Sequence, residues 1–229
     1  MKTVLITGAS GNLGRFVTAH FLSRGYKVVA VVSKEDSKKN ILPQEGLQVE
    51  AVDLTDETAA GALVQQAIAR YGAIDAALML AGAFTMGRLG ETATGDIQKL
   101  IALNFETAYN LARPLYLHMQ ERGSGRLVFI GARPALQPAE GKNMMAYALS
   151  KSLLFRLAEY LNEGARGKNI VATVVVPSTL DTPANRADMP AADPGKWVQP
   201  EELARVLEFV CSDEAAPLRE TILKVYNNA

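Results

Sequence analysis

The sequence predicts an α/β fold: a doubly wound parallel sheet of about seven strands in a three-layer α/β/α sandwich. Three observations carry this. Short, apolar, β-branched runs alternate with amphipathic helical stretches along the 229 residues, the pattern of right-handed strand–helix–strand crossovers. The strand runs are apolar almost throughout, as in residues 26–32 (YKVVAVV) and 169–176 (NIVATVVV), which suits strands covered on both faces. The first fourteen residues, MKTVLITGASGNLG, place a strand, a glycine turn and a helix start in direct succession.

Taken in order, residues 4–6 are the first strand. Gly8, Gly11 and Gly14 form the turn, and a helix follows over 12–24, closed by Gly25. Residues 26–32 are the second strand and 33–46 a lysine-rich loop or loose helix. The third strand is 47–52, ending at Asp53-Leu54-Thr55. The stretch 56–71 is a helix, with Ala60, Leu63, Val64, Ala67 and Ile68 on one face. A fourth strand, 75–80, leads to Ala81-Gly82-Ala83. Residues 94–122 read as one long helix with a bend expected near Pro114. The fifth strand is 125–130, a helix with little charge in its middle spans 142–164, and the sixth strand is 169–176. Residues 179–198 are irregular. Pro200 and two glutamates open a helix over 200–211. The last strand is 221–226. The whole chain, 1–229, reads as one domain with 179–198 as an integrated substrate loop.

Composition narrows the function. Lys+Arg and Asp+Glu balance at 24 each, so no charge excess favours nucleic acid or an acidic membrane. The one cysteine, Cys211, cannot form an intramolecular disulfide. His20 and His118 lie far apart, and no metal site is expected. Met1 leads straight into a strand without a signal peptide, and no apolar run approaches membrane-spanning length. A cytoplasmic setting is the expectation.

Two stretches carry chemistry. In the first turn, glycine lets the backbone bend tightly and approach a pyrophosphate, and the positive end of the next helix holds its charge. Gly8, Ser10, Gly11, Asn12, Leu13 and Gly14 are therefore the candidate phosphate cradle of a Rossmann-type dinucleotide site. The second stretch is Tyr147-Ala-Leu-Ser-Lys151. Residues four apart share a helix face. A lysine ammonium one turn from a phenol favours the phenolate and lowers its pKa from about 10. Tyr147 can then trade the proton that accompanies hydride transfer.

The glycine turn, Asp53-Leu54, Ala81-Gly82, Asn104, Tyr147, Lys151 and Pro177 fall in the order and relative positions of one family. Over essentially the whole chain the sequence resembles the short-chain dehydrogenase/reductases. The resemblance implies an NAD(P)-dependent oxidoreductase acting on a small molecule. It implies that Asp53 and Leu54 hold the adenine, that Asn104 anchors a water leading to Lys151, and that Ala81, Gly82, Pro177 and Thr179 also border the cofactor. Three departures stand out. The glycine spacing differs from the commoner TGxxxGxG, Leu80 replaces the usual asparagine, and Ala132 stands where the family carries the serine that bonds a substrate carbonyl. Losing one donor to a developing oxyanion costs roughly 10²–10³ in rate. Ser150, Ser178 or Thr85 could supply a substitute.

A closer similarity lies in Gly131-Ala132-Arg133-Pro-Ala-Leu136 and in Pro177-Ser-Thr-Leu-Asp-Thr-Pro183-Ala-Asn-Arg186 with Met189-Pro190. These resemble dihydropteridine reductase-like members, which carry alanine in place of the serine. That similarity implies a conjugated or quinonoid substrate, such as a dihydropterin. The candidate substrate contacts are Ala132 and Arg133 after the fifth strand, and Arg186, Met189 and Trp197 in the segment 179–198, which follows the sixth strand at the carboxyl edge where ligands bind and is long enough to be a lid. The alternatives are a carbonyl reductase or alcohol dehydrogenase, and a non-catalytic NADP(H) sensor. NADP(H) is the expected cofactor and NAD(H) the alternative. The second strand ends Val32-Ser33-Lys34 with no acid to bond a ribose 2′-hydroxyl, and Arg15 is near in sequence. The helix over 142–164 is apolar on more than one face, which implies pairing with a second copy in a homodimer or homotetramer.

Overall fold

The computed structural model describes residues 1–219 and 222–228. Among these, seven parallel strands form one sheet in the order β3-β2-β1-β4-β5-β6-β7. They are β1 (Thr3–Thr7), β2 (Lys27–Val32), β3 (Leu47–Ala51), β4 (Ala76–Met79), β5 (Ser124–Ile130), β6 (Asn169–Pro177) and β7 (Ile222–Val225). Thr221, expected to open the last strand, lies outside the described residues. β1 is buried at every position and β6 at all but its first. Helices α2 (Glu57–Tyr71), α4 (Thr107–Arg122) and α7 (Met145–Gly164) pack on one face through Leu63, Leu111, Leu115 and Leu154. α1 (Gly14–Ser23) and α9 (Pro200–Cys211) cover the other through Val17, Phe21, Leu203 and Leu207. The strand order reverses between β1 and β4, and a crevice opens there at the carboxyl edge, where ligands bind in sheets of this kind. No helix among the described residues is long and apolar enough to cross a membrane.

Several boundaries differ from the sequence reading, each for a local reason. The long helix over 94–122 is broken into α3 (Thr94–Ile101), a π-turn (Ala102–Glu106) and α4. The break falls at buried Asn104, whose side chain bonds the loop after β4, while α4 runs through Pro114. Two short helices, α5 (Arg133–Leu136) and α6 (Pro138–Gly141), follow β5, each with a proline in its first turn. α7 begins at Met145 rather than at 142, because Met144 is held in an isolated bridge to Gly87. The stretch 179–198 contains α8 (Pro183–Asp188), where Thr182 caps the Asn185 N–H, and a 3₁₀ turn (Pro194–Lys196). The loop after β2 winds a 3₁₀ turn over Glu35–Asn40.

Candidate active site

Gly8 turns the chain after β1 at φ +62°, a conformation that favours glycine. A Cβ on Gly14 would stand 2.1 Å from the Gly8 carbonyl oxygen and 2.7 Å from Ala9 Cα. The Thr7 hydroxyl accepts from the Ala81 N–H at 2.9 Å, which ties the turn to the end of β4. Leu13 precedes α1 without a side-chain cap, and the first turn of α1 carries no acid. Such an uncapped helix start is suited to an anion.

This turn is one wall of a cleft of about 410 Å³. Of the expected cofactor residues, Gly8, Ser10, Gly11, Asn12, Leu13, Gly14, Ser33, Asp53, Leu54, Ala81 and Gly82 line it together. Val31, Val32, Val52, Thr55, Leu80, Leu103 and Thr107 complete it, and sequence alone did not single these out as site residues. The cleft's size and mixed lining suit a nucleotide, and its glycine cradle and uncapped helix suit a pyrophosphate. The Asp53 carboxylate accepts from the Thr55 N–H at 3.0 Å and hydroxyl at 2.7 Å. Those two bonds hold its pKa below the usual carboxylate range. Lys34 stands outside the cleft lining and is exposed, as is Arg15, whose guanidinium lies 4.9 Å over the Phe16 ring.

Tyr147, Lys151 and Asn104 gather beside this cleft, between the carboxyl ends of β4 and β5. The Lys151 ammonium is buried and donates to the Ile130 carbonyl at 2.8 Å. A Cβ on Gly82 would stand 3.4 Å from it and 2.5 Å from Asn104 Oδ1, so Gly82 joins the lysine to the cofactor cleft. Asn104 Oδ1 accepts from the Ala83 N–H at 2.7 Å. Its Nδ2 donates to the Ala83 carbonyl at 3.0 Å and to Ser150 Oγ at 2.9 Å. Both amide hydrogens are committed, so the Asn104 side chain clamps the loop after β4 to α7. The Tyr147 side chain is half-buried, and its hydroxyl has no hydrogen-bond partner among the described residues.

Electrostatics correct one expectation. Burial pushes the Tyr147 phenol up to about 12 and the Lys151 ammonium down to about 8. Burial sets the phenol and runs against the lowering expected from the lysine, whose ammonium donates to the Ile130 carbonyl. Tyr147 is thus a protonated phenol at neutral pH, the form a proton donor needs.

The substrate side holds the remaining expected residues. Ala132 is buried after β5. Arg133 pairs with Glu140 at 2.9 Å and lies 5.7 Å over the Tyr226 ring. Two of the three substitute hydroxyls are taken: Ser150 Oγ donates to the Tyr147 carbonyl at 2.8 Å and Ser178 Oγ to the Tyr226 carbonyl at 2.8 Å. Thr85 is exposed and has no partner among the described residues. Pro177 is buried at the end of β6, and the Thr179 carbonyl accepts from the Val198 N–H at 2.9 Å. Trp197 is 5% exposed and faces the interior, Arg186 is bonded to Asp181, and Met189 is exposed. A residue missed in the sequence is Phe84. It is 56% exposed, with its ring edge-to-face with Tyr147 at 5.0 Å between centroids. Gly87, bonded to Asn143 and Met145, fixes its loop. An aromatic residue directly after Ala-Gly-Ala is the one signal the sequence offers for it.

The model of the short chain dehydrogenase family matches residues 2–192. An acetoacetyl-CoA reductase of Acinetobacter is 30% identical, covering 94% of this chain and 92% of its own length. A cyclic-di-GMP-binding biofilm dispersal mediator protein of Escherichia coli is also 30% identical, over 94% and 91%. The 3-oxoacyl-(acyl-carrier-protein) reductase FabG of Thermotoga maritima is 25% identical over 94% and 92%. Among solved structures, ElxO with NADP bound superposes with a TM-score of 0.90 at 21% identity, covering 98% and 96% of the two chains, a likeness of fold.

Proposed function

The chain belongs to the short-chain dehydrogenase family and is an NAD(P)-dependent oxidoreductase of that type; on that premise we propose that it reduces a small planar, conjugated or quinonoid acceptor, a dihydropterin being the sharpest candidate. The carrying observation is the lack of a committed oxyanion donor around Ala132. Ser150 and Ser178 have spent their hydroxyl protons on backbone carbonyls. An electron-deficient π system accepts hydride without such a clamp, and the rigid, exposed Phe84 ring offers it an apolar wall. When bound, the nicotinamide supplies the hydride. Tyr147 supplies the proton from its free hydroxyl, and Lys151 sets the charge beside it. Gly8 to Gly14 hold the pyrophosphate, and Asp53 and Leu54 flank the adenine.

We propose NADPH as the preferred donor. Ser33 and Lys34 are exposed at the end of β2, and Lys34 has no ion-pair partner among the described residues. The neighbouring acids each face a lysine of their own turn: Glu35 pairs with Lys38 at 3.0 Å and Asp36 lies 4.0 Å from Lys39. We also propose self-association through α7 in a reducing, cytoplasmic setting. Leu149, Leu153 and Tyr160 form an outward stripe at helical spacing, 45%, 38% and 68% exposed, while Leu154 and Phe155 face the core. Sedimentation at micromolar concentration should give a dimer or tetramer; a monomer there contradicts the pairing.

A carbonyl reductase is the second reading, favoured by the names of the relatives and by Thr85 as the one open hydroxyl. A sensor without turnover is disfavoured by the free Tyr147 hydroxyl. The deciding experiment is steady-state NADPH oxidation with quinonoid dihydropterin, quinones, a β-ketoacyl thioester, and simple aldehydes and ketones. The proposal requires kcat/KM to be highest for the quinonoid acceptors. A β-ketoacyl thioester turned over faster would replace it with the second reading.

A further inference from the structure

We propose that Asp181 and Arg186 are a positioning pair that locks the segment between β6 and α9 into a preformed wall of the substrate site. Arg186 donates to the two Asp181 carboxylate oxygens through Nε at 2.6 Å and Nη2 at 2.7 Å. Gln199, at the far end of the segment, donates to the same carboxylate at 3.0 Å. Asp181 therefore joins the start, the middle and the end of one long loop. Its side chain is only 7% exposed, and these three bonds hold its pKa down at about 2. The backbone repeats the closure: the Asp181 N–H donates to the Val198 carbonyl and the Val198 N–H to the Thr179 carbonyl, each at 2.9 Å. Asn185 Nδ2 adds a bond to the Leu180 carbonyl at 2.8 Å.

A loop of this length with ends alone fixed would be free to open. Here the planar, two-point guanidinium–carboxylate fork crosses its interior. Ordering is thereby completed before substrate arrives, and the substrate does not have to supply it. Arg186 and Trp197 then act by shaping the wall, and exposed Met189 is left at its tip.

The inference rests on reading this segment as the substrate wall, and its test separates the two claims. Trp197 is the only tryptophan in the chain and sits buried at the end of the segment, so its emission reports the lock without any substrate. In Asp181→Asn and Arg186→Met, amide exchange over residues 183–196 should quicken by about tenfold or more, and Trp197 emission should shift to the red. KM for the best acceptor should rise about threefold to tenfold with kcat retained. NADPH affinity should stay at the parent value, and Arg186→Lys should restore part of the loss. Parent-like exchange and emission in both variants would overturn the lock. Faster exchange with an unchanged KM would overturn the positioning role and leave the reaction assignment standing. A parent inactive on every acceptor would sink the reaction assignment, while exchange and emission would still decide the lock.

Discussion

On the β1–β4 side, the cleft is made of backbone. Gly8, Gly11 and Gly14 bring main chain close to main chain, and a side chain at Gly14 would collide with the Gly8 carbonyl at 2.1 Å. Beside it, on the β5–β6 side, the structure is held by side chains that find one another at separations from a few residues to most of a domain: Arg133 with Glu140 and Tyr226, Asp181 with Arg186 and Gln199, Asn104 with Ala83 and Ser150. The first kind of wall admits little variation, because no rotamer can relieve a backbone clash. The second can be rewired, so one cofactor site can serve many substrates.

The largest expected effect breaks the substrate side alone. Tyr147→Phe should lower turnover by about 10²–10⁴, the usual worth of a positioned acid, with NADPH binding unchanged. The phenol is free and the ring is held by Phe84, so proton supply is all that is lost. Single-turnover NADPH oxidation alongside a binding titration checks both halves; full turnover in the variant would refute the acid role.

Next comes a substitution that should break the other side. Gly14→Ala forces backbone apart and should cost about 1–3 kcal/mol of stability, read as a lower midpoint in thermal unfolding, with NADPH binding weakened. A parent-like midpoint and affinity would mean that the turn is not rigid.

The pH profile sharpens the comparison. Lys151 is held at about 8 and Tyr147 at about 12 by burial. As protons leave Lys151, the charge beside Tyr147 is lost, so kcat/KM for reduction should be level below pH 8 and fall above it. The fall should be absent in Lys151→Met, whatever its residual rate. The stability signs are opposite for the two groups. Between about 8 and 10.5 the unfolded chain binds the lysine proton and the folded one does not, so stability rises with pH there. Between about 10 and 12 the folded chain keeps the tyrosine proton that the unfolded one has lost, so stability falls. Denaturant titrations across these windows, parent against Lys151→Met and Tyr147→Phe, read each contribution.

Smaller effects test the edges. Lys34→Ala should weaken NADPH by about tenfold, the worth of one charge-assisted contact, and leave NADH unaffected; parallel losses for both cofactors would remove Lys34 from 2′-phosphate recognition. Phe84→Ala should raise KM for a planar acceptor about threefold to tenfold, as expected for one lost ring contact, measured in the same steady-state assay.

The same contrast separates what is legible in the sequence from what is not. The seven strands, their order along the chain and the glycine turn were legible because strand burial and turn geometry write themselves into local patterns. The pairing of Tyr147 with Lys151 on one helix face was legible for the same reason. The π-turn at Asn104 was not, since it depends on a bond to Ala83 about twenty residues away in sequence. Neither was the role of Arg186. In sequence it is a cation in a polar loop, and only the fold shows that its charge is spent on Asp181. Phe84 was hidden because an apolar residue in a loop reads as packing until its neighbour is known.

In the proposed reaction the acceptor's own electron deficiency stands in for the hydroxyl that Ala132 lacks. Restoring that hydroxyl is the most direct measurement. Ala132→Ser should raise kcat/KM for an ordinary ketone or β-ketoacyl thioester by about 10–10², part of the worth of an oxyanion donor, and leave the rate with quinonoid dihydropterin within about twofold. A parent that already reduces the ketone as fast as the quinonoid acceptor, with no gain from the serine, would contradict it.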